Sequence, residues 1–346
     1  MTLMTRASAY SICSLLVLLA ACGGGGGSAG SSGGNILPTA PAMPTSAPSA
    51  TLSPSPAPSP TLATVTPSSI ESGINTAFDD PDYYGTPTGT PKNKLFVMLP
   101  GTTSKPSNHQ FLLLEGASRG YHVLGLMYVN GMTVHQYCAA STDPACFGNV
   151  RSEIIYGNGT SSLVSVSPAD SIVGRLTALL TYLASSEPSS GWGQYLVNGA
   201  PAWSKIVVGG SSQGAGHALY LAKGNALAGA CAFDSPEDGY SATEPATWLS
   251  QPNATSTSLL YGFTNQDDTI ASYAGVIQAW SLIGIPGTPT DVDGGAPPYG
   301  GSHQIYTVAS TSVTSSTHGY TSVDAVTPIV NGVPLFAPVW DTICFP

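Results

Sequence analysis

The chain has 346 residues, of which 19 are acidic and 9 are lysine or arginine, so its formal charge is −10 although only 8% of residues are charged. Lysine and arginine are not concentrated in any segment, which argues against a nucleic-acid ligand, because such ligands are held by clustered cations. The acidic balance indicates solubility rather than a particular function.

Residues 1–21 are typical of an export signal. Arg6 precedes an apolar run of about ten residues, from Ile12 to Ala21, which is too short to span a bilayer. Residues 19–22 read Leu-Ala-Ala-Cys and resemble the lipobox of bacterial lipoproteins, which implies cleavage before Cys22 and lipid attachment to it. An ordinary signal peptide is the alternative. We expect an outer-membrane lipoprotein of the bacterial envelope, or a secreted protein.

Residues 22–68 are predicted to form a disordered tether. Residues 23–34 are almost entirely glycine and serine, and residues 38–67 are mostly proline, serine, alanine and threonine without a charge. The first composition behaves as a flexible coil and the second as a semi-rigid spacer, and neither can bury a core. No second linker follows, so we expect one folded domain, residues 69–346.

Short apolar runs alternate with segments of helical spacing in this domain. Strands are predicted at 94–99, 121–129, 206–208, 227–233, 258–263 and 303–309. Helices are predicted at 108–118, 168–183, 218–223 and 273–285 and from about residue 322, with an irregular excursion between 130 and 159. This alternation indicates an α/β fold with a mostly parallel central sheet and helices on both faces.

Residues 203–224 read as a strand, a sharp turn and a helix. At the turn, residues 210–214 are Gly-Ser-Ser-Gln-Gly, the G-x-S-x-G pattern of a nucleophile elbow, in which flanking glycines make room for a strained serine. Only Ser212 lies between a predicted strand and a predicted helix; the other serines in such a pattern are Ser28, Ser32 and Ser118. The alternative interpretation is a glycine-rich turn without a catalytic role.

A nucleophilic serine needs a histidine to accept its proton and a carboxylate to orient that histidine. His318 lies in a loop after the last predicted strand, where a base is expected, so we prefer it to His303, which begins that strand. The remaining candidates precede the elbow or lie on its helix: His109, His122, His135 and His217.

Two adjacent carboxylates follow the strand predicted before the histidine. We take Asp267 as the acid, because its spacing of three residues before the apolar Ile270 resembles the acid loop of folds that carry a nucleophile elbow, and keep Asp268 as the close alternative. Asp234 and Asp238, after the preceding strand, are weaker alternatives.

The chain order Ser212, Asp267, His318, with the strand context of the serine, resembles the α/β-hydrolase family. The resemblance implies an α/β-hydrolase fold and a Ser-His-Asp triad that cleaves an ester or related acyl bond through an acyl-enzyme. Such a triad needs no metal and no cofactor.

The same resemblance implies an oxyanion hole made of two backbone N–H groups. One is that of Gln213, the residue after the nucleophile. We assign the other to Thr102, with Thr103 as its neighbour. Residues 100–102, Pro-Gly-Thr, stand where many lipases have His-Gly, so the chain departs from the common pattern at this loop.

The folded part contains four cysteines, and an even number in an exported protein suggests two disulfides. The short loop between Cys138 and Cys146 favours the pairing 138–146, which leaves Cys231 with Cys344. Buried thiols are the alternative. A zinc site is not expected, because the spacing lacks a C-x-x-C pair.

Together these features predict a lipid-anchored extracytoplasmic serine hydrolase of the esterase or lipase type. Its substrate would be a small-molecule or polymeric ester, such as a lipid, a polymer ester or an acylated polysaccharide. We expect a monomer that contacts a membrane through its N-terminal lipid. The alternatives are a serine peptidase or amidase, and a catalytically silent α/β-hydrolase domain that serves as a surface binding module.

Overall fold

The computed structural model of the chain describes residues 59–309 and 317–346, all of which belong to one compact unit. The predicted export signal, the lipidation site Cys22 and most of the predicted tether lie outside the described residues.

The described residues form fifteen strands and seven α-helices. The strands are β1 (Ala63–Val65), β2 (Asp82–Gly85), β3 (Leu95–Leu99), β4 (His122–Gly125), β5 (Leu196–Val197), β6 (Ala200–Pro201), β7 (Ile206–Ser211), β8 (Gly229–Phe233), β9 (Gly239–Ser241), β10 (Glu244–Pro245), β11 (Leu260–Asn265), β12 (Thr290–Asp291), β13 (Gln304–Thr307), β14 (Ile329–Val330) and β15 (Val333–Pro334). The helices are α1 (Gln110–Ser118), α2 (Val134–Cys138), α3 (Cys146–Tyr156), α4 (Ile172–Ser186), α5 (Gln213–Gly224), α6 (Tyr273–Ile283) and α7 (Ala337–Cys344).

Nine strands form one sheet in the order β1-β2-β4-β3-β7-β8-β11-β13-β12. From β4 to β12 every neighbouring pair is parallel. Only β1 and β2, at one edge, run antiparallel to their neighbours. The predicted α/β class and mostly parallel sheet are therefore confirmed, and the central strands β7, β8 and β11 align their carboxyl ends at one edge.

The sheet is buried on both faces. Alternate side chains of β3 enter two different apolar clusters: Leu95, Val97 and Leu99 enter one, and Phe96 and Met98 the other. This alternation is the two-residue period of a strand. The first cluster also contains side chains of α3, α4, α5 and α6, and the second contains those of α1 and α7. Helices thus cover both faces, as predicted.

The boundary of the predicted tether needs correction. Residues Ala63–Val65, which we placed in the disordered tether, form β1 and pair with β2 from Val65↔Asp82 to Ala63↔Tyr84. Backbone pairing with an edge strand requires no large apolar side chains, so a Ser/Thr/Ala-rich composition does not exclude it. The folded part therefore begins before residue 69.

The region 130–159 is not an irregular excursion, because it contains α2 and α3. The buried face of α3 carries Phe147, Val150 and Ile154 at helical spacing. Gly148 and Asn149 have weak helix propensity, but packing of this apolar face outweighs it. The helix ends at Gly157, whose φ of 61° is easily reached by glycine.

The helix predicted from about residue 322 is also wrong, because residues 318–326 form turns. The carbonyl oxygen of Thr321 accepts a hydrogen bond from Trp340 Nε1 at 2.8 Å, and that of Ser322 accepts one from His109 Nδ1 at 2.8 Å. Since these carbonyls are used by other elements, they are not available to a helix. The C-terminal helix is α7, which begins at Ala337.

Two disulfides, Cys138–Cys146 and Cys231–Cys344, join the four cysteines in the predicted pairing. Their Cα–Cα distances are 5.9 Å and 5.6 Å, within the usual range. The first joins α2 to α3, and the second joins the central strand β8 to α7. Within the described ranges, no helix has both the length and the apolar character needed to cross a membrane.

Candidate active site

Ser212 lies at the turn between β7 and α5, at the carboxyl end of a central strand. Its backbone has φ 53° and ψ −120°, a combination that side-chain-bearing residues rarely adopt and that costs on the order of 1–3 kcal/mol. Its N–H donates to the carbonyl oxygen of Phe233 in β8 at 2.8 Å, which helps to hold the turn. This is the strained strand-turn-helix geometry that the G-x-S-x-G pattern predicts.

The two glycines that flank Ser212 are required by close backbone contacts. A Cβ on Gly210 would lie 2.2 Å from the carbonyl group of Gly214, and a Cβ on Gly214 would lie 2.2 Å from the carbonyl oxygen of Leu99. Both distances are far below van der Waals contact, and the obstructing atoms belong to the backbone. Glycine at positions 210 and 214 therefore allows the helix to start directly against β7 and β3.

Ser212, His318 and Asp268 form a continuous chain of hydrogen bonds. His318 Nε2 is 2.8 Å from Ser212 Oγ, and His318 Nδ1 is 2.7 Å from Asp268 Oδ2. The Asp268 side chain is fully buried and that of His318 is 14% exposed. The second carboxylate oxygen of Asp268 accepts the N–H groups of Ile270 and Ala271, which fixes the orientation of the carboxylate.

The structure corrects our preference for Asp267 over Asp268 as the partner of His318. Asp267 is exposed, and its N–H donates to the side-chain oxygen of Asn265 at 2.8 Å. This turn closes on the side chain of Asn265 and directs the next residue, Asp268, inward. The weaker alternative Asp234 is hydrogen-bonded to Thr321, and the other, Asp238, pairs with Arg151.

The electrostatic surroundings favour a protonated His318. Burial lowers the pKa of the imidazole, but the hydrogen bond to Asp268 and the negative charges of Asp234 and Asp268 outweigh it, so the pKa is raised above its usual value. An imidazole that accepts the proton of Ser212 would therefore be stabilised as imidazolium.

Two backbone N–H groups near Ser212 are free to bind an anion. Gln213 is the first residue of α5, so its N–H has no partner within the helix. The N–H of Thr103 donates to the carbonyl oxygen of Asn130 at 2.9 Å, whereas that of Thr102 has no acceptor among the described residues. The geometry thus agrees with Thr102 rather than Thr103 as the second donor. The side chains of Thr102 and Gln213 are hydrogen-bonded to each other at 2.9 Å.

The loop that carries His318 is attached to three other elements. Thr321 Oγ1 donates to Asp234, which follows β8, at 2.7 Å, and the carbonyl oxygen of Thr321 accepts from Trp340 in α7. The Asp324 carboxylate accepts the N–H groups of Gln110 and Phe111 at the start of α1. These contacts fix the imidazole relative to the sheet.

A buried ion pair lies beneath the elbow, and the sequence analysis missed it. Arg151 in α3 makes two hydrogen bonds of 2.6 Å to Asp238, and both side chains are 2% exposed. Arg151 Nη1 also donates to the carbonyl oxygen of Gln213 at 3.2 Å. The guanidinium lies so close to Gly216 that a Cβ there would be 2.2 Å from it. The signal in the sequence was an arginine on the apolar face of α3, in a region where no helix was predicted.

Ser212 and His318 open into a cleft of about 680 Å³. Its walls come from α2, from the β9–β10 hairpin and from the N-terminal half of α6. The hairpin is fixed at both sides of the cleft: Tyr240 Oη donates to the carbonyl oxygen of Asp143 at 2.9 Å, and Gln278 Nε2 donates to that of Ala242 at 2.7 Å. The space beside the serine therefore has defined walls.

The other histidines have structural contacts. His303 stacks on Tyr261 with ring centroids 3.8 Å apart and lies just before β13, at the amino end of that strand. His217 is fully buried and faces Arg151. Among residues 59–309 and 317–346, no group of three or more His, Cys, Asp or Glu side chains is arranged to hold a metal ion.

No family model and no curated protein matches the chain.

Proposed function

We propose that the protein is a serine hydrolase of the α/β-hydrolase type that cleaves carboxylic esters. The observation that carries the proposal is the unbroken chain from Ser212 through His318 to Asp268, with free N–H groups beside the serine. The strained turn at Ser212 and the order serine, aspartate, histidine along the chain also support the α/β-hydrolase assignment.

Each residue has a definite part in the proposed reaction. Ser212 Oγ attacks the acyl carbon while its proton passes to His318 Nε2, and Asp268 holds the imidazole and stabilises its positive charge. The N–H groups of Gln213 and Thr102 bind the developing oxyanion. The bond to the leaving alcohol breaks as His318 protonates it, and water then releases the acid from Ser212 by the same steps.

An ester is the simplest substrate for this arrangement, because its carbonyl is less stabilised by resonance than that of an amide and an alkoxide leaves more easily than an amide anion. Comparison of matched ester and amide substrates separates an esterase from a peptidase or amidase. Attachment to the outer membrane through Cys22 stays part of the proposal and rests on the Leu-Ala-Ala-Cys sequence alone. A tethered enzyme suits a bulky ester, such as a lipid, a polymer or an acylated polysaccharide.

The first test is labelling of the full-length protein with a fluorophosphonate, which reacts with activated serines. We expect one adduct, located on Ser212 by mass spectrometry and absent in Ser212→Ala, together with turnover of p-nitrophenyl esters. Ser211→Ala is the matched control, because the neighbouring hydroxyl lies at the end of β7 and should leave labelling intact. No adduct on a folded wild-type protein would contradict the proposal and favour a silent binding domain.

The charges along the cleft predict a preference for uncharged acyl groups. Arg151 and Asp238 neutralise each other, whereas Glu237 forms no ion pair with any described residue and is held by Ser272. Among the described lining residues no lysine or unpaired arginine faces the cleft. A p-nitrophenyl butyrate should therefore be cleaved with a several-fold higher kcat/KM than the p-nitrophenyl monoester of succinic acid, at low salt.

Glu237→Gln should reduce this discrimination, since the amide oxygen can still accept from the N–H of Ser272 without carrying a charge. An equal or higher kcat/KM for the succinate monoester in the wild-type protein would show that Glu237 does not control the choice of substrate.

A further inference from the structure

Asp234 lies between the strands that carry the nucleophile and the acid. It directly follows β8, whose neighbours in the sheet are β7 and β11. The N–H of Asp234 donates to the carbonyl oxygen of Phe263 in β11 at 3.0 Å. The preceding residue, Phe233, accepts the N–H of Ser212. The backbone around Asp234 thus joins both halves of the candidate site, although Asp234 has no part in the Ser212–His318–Asp268 chain.

Burial of the Asp234 carboxyl group has a large free-energy cost, which is unusual for a residue without a role. The residue is fully buried, and its Oδ2 accepts from Thr321 Oγ1 at 2.7 Å. Its Oδ1 is buried without a well-formed hydrogen bond, although the backbone N–H of Asn265 acts on the carboxyl group, and no lysine, arginine or histidine within the described part of the chain forms an ion pair with it. A buried carboxylate without full hydrogen bonding is strongly unfavourable. An asparagine could accept the hydrogen bond from Thr321 equally well, so the hydrogen bond alone does not explain why this position carries an aspartate.

Thr321 connects Asp234 to the proposed base. It stands three residues after His318 in the same loop, so its hydrogen bond to Asp234 fixes that loop against β8. We propose that Asp234 is a positioning residue for His318: it anchors the histidine loop through Thr321, and its negative charge stabilises the imidazolium that forms when Ser212 loses its proton. This inference rests on the proposed hydrolase function.

The titration behaviour agrees with this assignment. Burial raises the pKa of Asp234 to about 7, opposed by the charge of His318 and reinforced by that of Asp268. The charge of Asp234 in turn contributes to the raised pKa of His318. The groups that face this pair are Asp268 from the loop after β11, the hydroxyl groups of Thr321 and Ser212, and the backbone N–H of Asn265 at the end of β11. Protonation of His318 therefore favours ionisation of Asp234, and ionisation of Asp234 in turn favours protonation of His318.

Asp234→Asn in the full-length protein separates charge from anchoring, because the amide oxygen still accepts from Thr321. Without the nearby negative charge the imidazolium is less stable, so the acid limb of the kcat/KM profile should move to a pH lower by about 1. The plateau value should fall several-fold for the same reason. Lower activity together with an acid-shifted limb is a combination that loss of folding alone does not produce.

Asp82→Asn is the matched control. Asp82 is equally buried, its pKa is also raised to about 7 by burial, and its carboxylate accepts a backbone N–H, that of Met127. It lies on β2, next to the edge strand β1 and away from His318. This variant should leave the position of the acid limb unchanged, whatever its effect on stability.

A second measurement does not depend on activity. The imidazole of His318 is titrated by NMR in the wild-type protein and in both variants, and its pKa should be lower in Asp234→Asn alone. An unchanged titration of His318 would overturn the inference, as would a lower plateau with an unmoved acid limb. If neither the wild-type protein nor the variants cleave esters, but the pKa of His318 falls in Asp234→Asn, the proposed function fails and the coupling of Asp234 to His318 stands.

Discussion

Asp268→Asn should lower kcat/KM for a p-nitrophenyl ester by about 10⁴-fold, whereas Asp267→Asn should leave it close to the wild-type value. The carboxylate of Asp268 accepts from His318 Nδ1 at 2.7 Å and thereby leaves Nε2 free to take the proton of Ser212. An amide at this position can donate to the imidazole and favour the wrong tautomer. The measurement is steady-state hydrolysis at a pH where His318 is neutral.

The two adjacent aspartates provide an internal comparison, since both variants remove one negative charge from the same loop. Asp267 is exposed, and its hydrogen bonds to other described residues are made by its backbone, with Asn265 and Thr317. A large loss in Asp267→Asn with retention in Asp268→Asn would reverse the assignment. Circular dichroism of both variants separates a catalytic loss from unfolding.

Arg151→Met should reduce the free energy of unfolding by about 3–5 kcal/mol, because it leaves the carboxylate of Asp238 buried without its charged partner. In the wild-type protein the ion pair with Arg151 keeps the pKa of Asp238 low despite burial. The same variant removes the hydrogen bond to the carbonyl oxygen of Gln213, so esterase activity should fall as well. Equilibrium denaturation with urea measures the first effect.

Arg119→Met is the matched control on the surface. Arg119 forms ion pairs with Glu115 and Asp341, but its side chain is 50% exposed, so its removal should cost less than about 1 kcal/mol. Equal losses of unfolding free energy for Arg151→Met and Arg119→Met would mean that the buried ion pair contributes no more to stability than the exposed one. The double variant Arg151→Met/Asp238→Leu should recover part of the stability, since neither charge is then left unpaired.

Strands and helices with strong periodicity could be predicted from the sequence, and those determined by long-range contacts could not. Apolar runs such as 94–99 identified β3 because a strand buried on both faces needs no polar positions. The strand predicted at 121–129 ends at Gly125 instead, and the N–H of Met127 donates to Asp82, 45 residues away. The helix predicted from residue 322 is absent because His109 and Trp340 bind its carbonyl oxygens.

In the candidate site, too, residues with local sequence signals could be predicted and residues fixed by long-range contacts could not. Ser212 could be identified because its glycines, strand and helix are all local. The choice between Asp267 and Asp268 depended on one turn closed by the side chain of Asn265, which no apolar pattern records. Arg151 was missed and Asp234 was considered only as an alternative acid, because their partners, Asp238 and Thr321, are each 87 residues away along the chain.

The attachment of the His318 loop to α7 has a consequence for biosynthesis. The elbow at Ser212 leaves the ribosome first, Asp268 follows, and His318 comes last of the three. The loop around His318 is then held by Trp340, and α7 is linked to β8 through Cys344 and Cys231. A nascent chain that has not yet docked this segment carries a serine without its base. On the proposed function, the site would therefore be complete only after Cys344 has been synthesised and α7 has packed against the sheet.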